Sequence, residues 1–295
     1  MRYESTRVEI SKTRIILALF AVYISWGSTY LAIRIVLEDL PPFFMMGARF
    51  LLVGIGLYVY LRMKGMPAPL PSEWLWSSVI GTFLLLGGSG GVAFAQQWVP
   101  SGLAALVIAT TPLWIVLFAG IWKHRPTRME WFGLLVGLAG VVILNFEGDL
   151  KASPLGAVAL ILAAMSWAFG SAWSQQVKLP QGMMAGAAEM ITGGIVVLLV
   201  SVISGERVSS VPTLRSVTAL LYLAVFGSLI GFTAYIYLLR NVRPALATSY
   251  AYVNPVIAVL LGVGIAGEQI TGVGIVAMAV IIIGVLLVMF GQKRL

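Results

Sequence analysis

The chain has 295 residues, of which 60% are hydrophobic and only 10% charged, with a mean hydropathy of +0.98. Soluble domains carry roughly 25% charged residues, so a water-facing surface is excluded and the outside of this core must be apolar as well. The absence of cysteine excludes disulfides, thiolate chemistry and cysteine-ligated zinc, and the net charge of +8 bears on membrane topology rather than on nucleic acid.

Apolar windows of about 17–25 residues mark helices that cross a bilayer. Ten are predicted in chain order, over 15–33, 42–61, 74–95, 101–122, 131–146, 154–175, 181–203, 216–239, 244–266 and 270–290. The expected fold class is therefore all-α integral membrane. Span 1 is about as long as a full crossing and lacks a small-residue cleavage site, so it reads as a retained helix rather than a signal peptide. It carries Trp26 and Tyr30. Each of the two deep tryptophans, Trp26 and Trp167, lies about twelve residues into its span, near the midplane at about 1.5 Å per residue. Span 2 carries Arg49, and span 3 the run GGSGG at 87–91. That run lacks the strand–loop–helix context and the Lys-Ser/Thr of a phosphate loop, so it reads as close helix packing or a hinge. Span 4 contains ATTP at 109–112, and span 5 the glycines Gly133, Gly137 and Gly140, a candidate dimer face. Nothing else in the sequence supports an oligomer. Spans 6 to 9 bring Trp167 and Trp173, Glu189, Tyr235 and Tyr237, and then TSYAYVNP at 248–255.

Placing Lys and Arg on alternate sides gives fourteen on the side of the termini: Arg2, Arg7, Lys12, Arg14, Arg62, Lys64, Lys123, Arg125, Arg128, Lys178, Arg240, Arg243, Lys293 and Arg294. The other side holds four, Arg34, Lys151, Arg207 and Arg215, and Arg49 lies within a span. By the positive-inside rule both termini are expected in the cytoplasm.

Three landmarks recur at nearly constant separation. Ser25-Trp26 returns as Ser166-Trp167, Thr111-Pro112 as Asn254-Pro255, and Gly140-Val141 as Gly284-Val285, at offsets of 141, 143 and 144. Two repeats are expected, 1–147 and 148–295. Each holds five spans, an odd number, so the second enters the membrane from the opposite side. Inverted repeats are a common transporter plan, with the substrate near the midplane between halves.

Pro112 and Pro255 are helix breaks that free the carbonyls of Ile108 and Ala251. In lipid such groups must be met by neighbouring helices, hydroxyls or cavity water. Thr110, Thr111, Ser249, Tyr252 and Asn254 stand beside them, either as cavity-lining groups or as ordinary packing devices. Arg49 and Glu189, 140 residues apart, are intramembrane charges. They read as a structural pair, or else as a carboxylate site at Arg49 or a proton site at Glu189. His124 is the lone histidine, in a basic loop with no partner for metal or base chemistry. No motif calls for a catalytic group, metal or cofactor, and an enzyme is not expected.

WGSTY at 26–30, Pro42-Phe43, Arg49, the proline of span 4 and the glycine-rich span 5 resemble an EamA repeat. SW at 166–167, NP at 254–255 and GE at 267–268 continue the likeness through the second half. The whole chain thus resembles a ten-helix drug/metabolite transporter of the EamA type, similar to the YddG-like aromatic amino-acid exporters. The resemblance implies a basket of two inverted five-helix repeats in a bacterial inner membrane, with a central cavity lined by helices 1, 3, 4, 6, 8 and 9. It departs from the pattern at Glu189, where an arginine-like position is expected.

The function expected is alternating-access export of amino acids, in particular aromatic and other apolar ones. Trp26, Tyr30, Trp167 and Tyr252 would meet the side chain, and Thr110, Thr111, Ser249 and Asn254 the amino and carboxylate groups. The alternative is a carrier of another metabolite or a cationic drug, proton-coupled through Glu189; a channel is the reading from another class. The partners expected are the small-molecule substrate and the lipid bilayer.

Overall fold

The computed structural model describes residues 12–122, 127–144, 153–242, 247, 249–267 and 269–291. They form ten helical rods, and the described residues include no strand. The rods are α1 (Lys12–Val36), α2 (Pro42–Met63), α3 (Pro71–Ala95), α4 (Ser101–Ile108 and Thr111–Trp122), α5 (Arg128–Leu144), α6 (Pro154–Ser174), α7 (Met183–Ile203), α8 (Leu214–Asn241), α9 (Tyr250–Ala266) and α10 (Gly272–Gly291). Seven are long and apolar enough to cross a bilayer, and α5, α9 and α10 contribute shorter apolar runs. Large apolar side chains such as Leu17, Phe20 and Ile24 on α1, or Leu199 and Val202 on α7, stand exposed on the outside. That is the surface a hydrocarbon solvent requires.

Local chemistry fixes the ends. Prolines 42, 71 and 154 open α2, α3 and α6, where a missing N–H costs nothing. Ser153 Oγ accepts from Gly156 N at 3.2 Å and caps α6. Gly267, at φ +66°, closes α9 in the left-handed conformation that glycine tolerates. Two caps come from the other repeat. Glu206 accepts from Phe43 N and Phe44 N, at 3.1 and 2.8 Å, at the start of α2. Asp39 accepts from Thr213 N at 2.8 Å and Thr213 Oγ1 at 2.6 Å at the start of α8. Hydrogen bonds from Ser216 and Thr213 hold the Asp39 carboxyl below its ordinary range. With the exposed Arg215–Glu38 pair at 3.2 Å, these contacts lace the two repeats together at the end remote from the chain termini.

The equivalent helices of the two repeats run antiparallel against each other. As numbering rises from Gly47 to Gly54 on α2, the partners on α7 fall from Leu198 to Ile191. Likewise Gly140 of α5 meets Ile281, and Gly137 meets Gly284 of α10. The second repeat is therefore inverted. Backbones can approach this closely only because the contact residues lack side chains. A Cβ on Gly194 would lie 2.7 Å from Leu51 N, and one on Gly54 2.8 Å from Ile191 N. Gly133, Gly137 and Gly140 are thus spent within the chain, on α10 and, at Gly137, also on Leu113 of α4, and the candidate dimer face on α5 is corrected accordingly.

Both α3 and α8 change from α to π winding midway, over Thr82–Gly90 and Leu223–Phe232. The switch to i→i+5 bonds disturbs the carbonyl ladder, and one carbonyl in each stretch takes a donor from the next helix. Ser166 Oγ on α6 donates to Phe83 O at 2.8 Å, and Trp26 Nε1 on α1 donates to Gly227 O at 3.0 Å. The GGSGG run lies in and beside the first stretch, with Gly87 against Ser166 and Gly88 against Trp167.

The two proline sites differ. At Pro112 the helix breaks, with Ala109 and Thr110 in a turn and the proline in the first turn of the next segment. The hydroxyl of Thr111 donates to Ile108 O at 2.6 Å, and that of Thr110 to Val107 O at 2.7 Å. The carbonyl freed by Pro112 is thus satisfied from within. Pro255 instead sits inside the continuous helix α9.

Two outcomes follow from this packing. Gly194→Val is expected to lower the thermal unfolding midpoint of the detergent-purified protein well below that of Gly56→Val, because a Cβ at Gly56 meets nothing within 4 Å, whereas overpacking costs about 1–3 kcal/mol. Thr111→Val is expected to cost about 1 kcal/mol of stability and to leave transport unchanged, as read by thermal melts beside uptake assays.

Candidate functional site

A cavity lies between the repeats, with about 90 Å³ open to the centres of water-sized molecules. Helices α1, α3, α4, α6, α8 and α9 contribute to its wall, and so does α2, through Met46, Arg49 and Phe50. Its location follows from the helix irregularities. Gly88 and Gly227, one from each π stretch, both belong to the wall, and Ile108 marks the break in α4. Large side chains from α1 and α6 fill toward these gaps. Trp26 and Tyr30, four residues apart on one face of α1, and Trp167 all line the space.

Arg49 is 5% exposed, and its Nε and Nη1 have no hydrogen-bond partner. The guanidinium lies 4.3 Å from the Phe50 ring centroid, a cation–π contact. Gly227 lies beside it; a Cβ there would make ordinary contact with Arg49 Nη1 at 3.6 Å but crowd Thr29 Cγ2 at 2.9 Å. Among the described residues, Arg49 is the one charged residue in the wall. Asn254 is 3% exposed, and its Oδ1 also lacks a donor. Trp167 Nε1 has no partner in good hydrogen-bonding geometry, although the hydroxyls of Tyr235 and Tyr250 approach it. The inverted symmetry accounts for this: Ser166 has already supplied the donor to the α3 carbonyl, a task that Trp26 itself performs for α8. Buried unmet donors and acceptors are costly, and three residues carrying them converge on one space.

On the side toward the chain termini the cavity is closed by rings. Trp26 packs on Trp167 at 5.3 Å and on Tyr235 and Tyr250 at 4.9 Å each. Trp167–Tyr235 and Tyr235–Tyr250 follow at 5.6 and 5.7 Å, all within the range of favourable edge-to-face and tilted pairs. Ser171 and Tyr235 share a hydrogen bond at 3.0 Å, and Tyr23 and Ser249 one at 2.6 Å. The four rings form a plug between α1, α6, α8 and α9.

The residues singled out by sequence therefore separate. Trp26, Tyr30, Arg49, Trp167 and Asn254 meet in the cavity. Thr110 and Thr111 turn back on their own helix, and Trp114 Nε1 donates to Thr110 Oγ1 at 3.3 Å. Ser249 belongs to the α1–α9 contact beneath the plug. Arg49 and Glu189 do not pair; Glu189 faces a different cleft, with Arg240. The side chain of Tyr252, the residue Thr248 and the loop holding His124 lie outside the described residues. Sequence reasoning missed Gln96, fully buried, whose Nε2 donates to Tyr30 O at 3.2 Å and whose backbone carbonyl accepts from Arg34 Nη1 at 3.2 Å. Its place at a span end resembles an ordinary loop glutamine, and only the α1–α3 packing gives it a role. No cluster of three or more metal-ligating side chains occurs among the described residues.

A family model described as the EamA-like transporter family matches the chain twice, over residues 13–146 and 154–290. The chain is 48% identical over 276 residues to the uncharacterized inner membrane transporter YedA of Escherichia coli (strain K12), covering 93% of this chain and 90% of the relative. It is 28% identical to Protein PecM of Dickeya dadantii over 88% of each chain, and 24% identical to the uncharacterized transporter YoaV of Bacillus subtilis over 88% of this chain and 90% of that one. A crystal structure matches the fold with a TM-score of 0.69 over 96% of this chain and 99% of its own, at 22% identity. With ten apolar rods in two inverted halves and a family match to each half, the chain belongs to the EamA-like transporter family and is a multi-pass inner-membrane transporter.

Proposed function

We propose that this transporter is an alternating-access carrier that exports amino acids, in particular aromatic and other apolar ones, with both termini in the cytoplasm and with residues 1–147 and 148–295 as its two rocking halves. The observation that carries the reading is Arg49. A buried guanidinium with two unmet nitrogens requires an anionic partner, and a planar carboxylate matches its donor geometry. Asn254 Oδ1, an acceptor without a donor, suits an ammonium group. Rings and aliphatic groups from Trp26, Tyr30, Phe50, Trp167 and Phe232 make up much of the remaining wall, a surface suited to an apolar side chain. A cationic drug fits poorly, because the charge that the described wall residues supply, Arg49, is positive.

The aromatic plug supports a gate toward the basic face. It is held by ring contacts and two hydroxyl bonds rather than by glycine-packed backbone. The α2–α7 and α5–α10 pairs, glycine-packed and antiparallel, join one half to the other and suit the pivots about which the halves rock.

In proteoliposomes, counterflow of labelled tryptophan, methionine or threonine is expected on loading with the unlabelled amino acid, and none with the corresponding decarboxylated amine. If none of the three amino acids moves, the reading fails. Arg49→Met is expected to raise the half-saturating concentration about 10- to 100-fold, the worth of a hydrogen bond to a charged group, and Arg49→Lys to recover part of the loss.

A further inference from the structure

We propose that Glu189 is a proton-binding site with its own entrance, separate from the central cavity, and that its charge biases the aromatic plug through Tyr235. Glu189 is 2% exposed on α7, and its Oε2 is wholly enclosed with no hydrogen-bond partner among the described residues. It lines a cleft of about 390 Å³ together with Lys178 and Pro180 of the α6–α7 link, Tyr235 and Arg240 of α8, and Leu84 of α3. Such a volume admits water. Neither Arg49 nor Asn254 belongs to this cleft, and Glu189 does not belong to the central cavity.

The chemistry of the cleft selects a proton over other cations. A metal ion needs several oxygen ligands, and the described residues offer no carboxylate cluster here. Two positive side chains, Lys178 and Arg240, share the cleft and oppose any larger cation. A proton needs a single oxygen and leaves a neutral group that no longer demands a partner. The titratable and charged groups facing Glu189 are Arg240 and Tyr235 from α8 and Lys178 from the link. Packed against it, α3 presents Gly81 and Leu84; of the two charges on α2, Arg49 faces the central cavity and Arg62, in the last turn, donates to Met66 O, and neither lines the cleft.

The route to the plug is Tyr235. This fully buried ring is at once a wall of the cleft and a member of the four-ring plug, bonded to Ser171 and packed on Trp26, Trp167 and Tyr250. It stands three residues beyond the π stretch of α8, and Arg240 follows on the same helix, its Nη2 donating to Pro180 O at 2.7 Å. A charged Glu189 attracts Arg240 and holds this end of α8, with Tyr235, against α7. When one carboxylate oxygen takes a proton from cleft water, that attraction ends and α8 is released; the same proton returns to water later in the cycle, and no other bond changes.

The test has one part that needs no substrate, so it stands apart from the amino-acid reading; only the transport arm rests on that reading. Infrared titration of the purified full chain is expected to show a protonated-carboxyl band that follows bulk pH and is lost in Glu189→Gln. Glu189→Asp, which keeps the acid, should shift the band and serves where the glutamine variant does not fold. If the difference between the wild-type and Glu189→Gln titrations contains no pH-dependent carboxyl band, the proposal is overturned. In liposomes, Glu189→Gln is expected to retain counterflow while pH-gradient-driven accumulation of tryptophan falls from several-fold to equal concentrations inside and out. Equal gradient-driven accumulation in wild type and variant overturns the coupling.

Discussion

Backbone carbonyls released inside a solvent that offers no hydrogen bonds must be met from within the protein, and most of this architecture answers that demand. The chain releases carbonyls at the π stretches of α3 and α8 and at the break in α4. A serine, a tryptophan and two threonines are placed to receive them. Each irregularity bends or widens a rod, and the irregular parts face one another, so the cavity is the space they leave. Polar groups used for repair cannot also bind cargo. Of the buried polar groups left unmet, those of the guanidinium of Arg49, the amide oxygen of Asn254 and the indole of Trp167 belong to residues that line the cavity, and that subtraction sets them apart.

Inverted symmetry gives two copies of each device, and function arises where the copies diverge. Trp26 and Trp167 occupy corresponding positions and touch across the pseudo-axis at 5.3 Å. One has its N–H committed to a carbonyl, and the other does not. Arg49 and Glu189 diverge further: the first faces the central cavity, the second a lateral cleft toward the basic end. Equivalent backbone positions thus supply opposite charges to two separate spaces. The glycine-packed pairs α2–α7 and α5–α10 keep their symmetry, consistent with a purely mechanical role.

Much of this was legible from residues alone. Span boundaries fall within a few residues of the observed rods, because transfer of an apolar segment into lipid is decided locally. The offset of about 141 residues located the repeat, and depth along the span marked Trp26, Trp167 and Arg49 as interior. The π stretches were not legible: GGSGG and GSLIG signal small side chains, and whether a helix winds tighter or wider there depends on what packs against it. Nor was the division of labour among hydroxyls. Thr111 and Ser249 look equally poised beside a proline, yet one bonds its own helix and the other bonds Tyr23 on α1.

The sequence by itself determined the solvent, the number of rods, their inverted duplication and the identity of the intramembrane charges, since these follow from hydropathy, length and parity. Tertiary structure alone decided which charges share a space, which carbonyls are already satisfied, and that the small face of α5 is consumed within the chain by α10. The physical reason is that hydropathy is a property of a segment and its solvent. Satisfaction of a buried polar group is a property of two segments at a distance of about 3 Å, and no single stretch of sequence contains both.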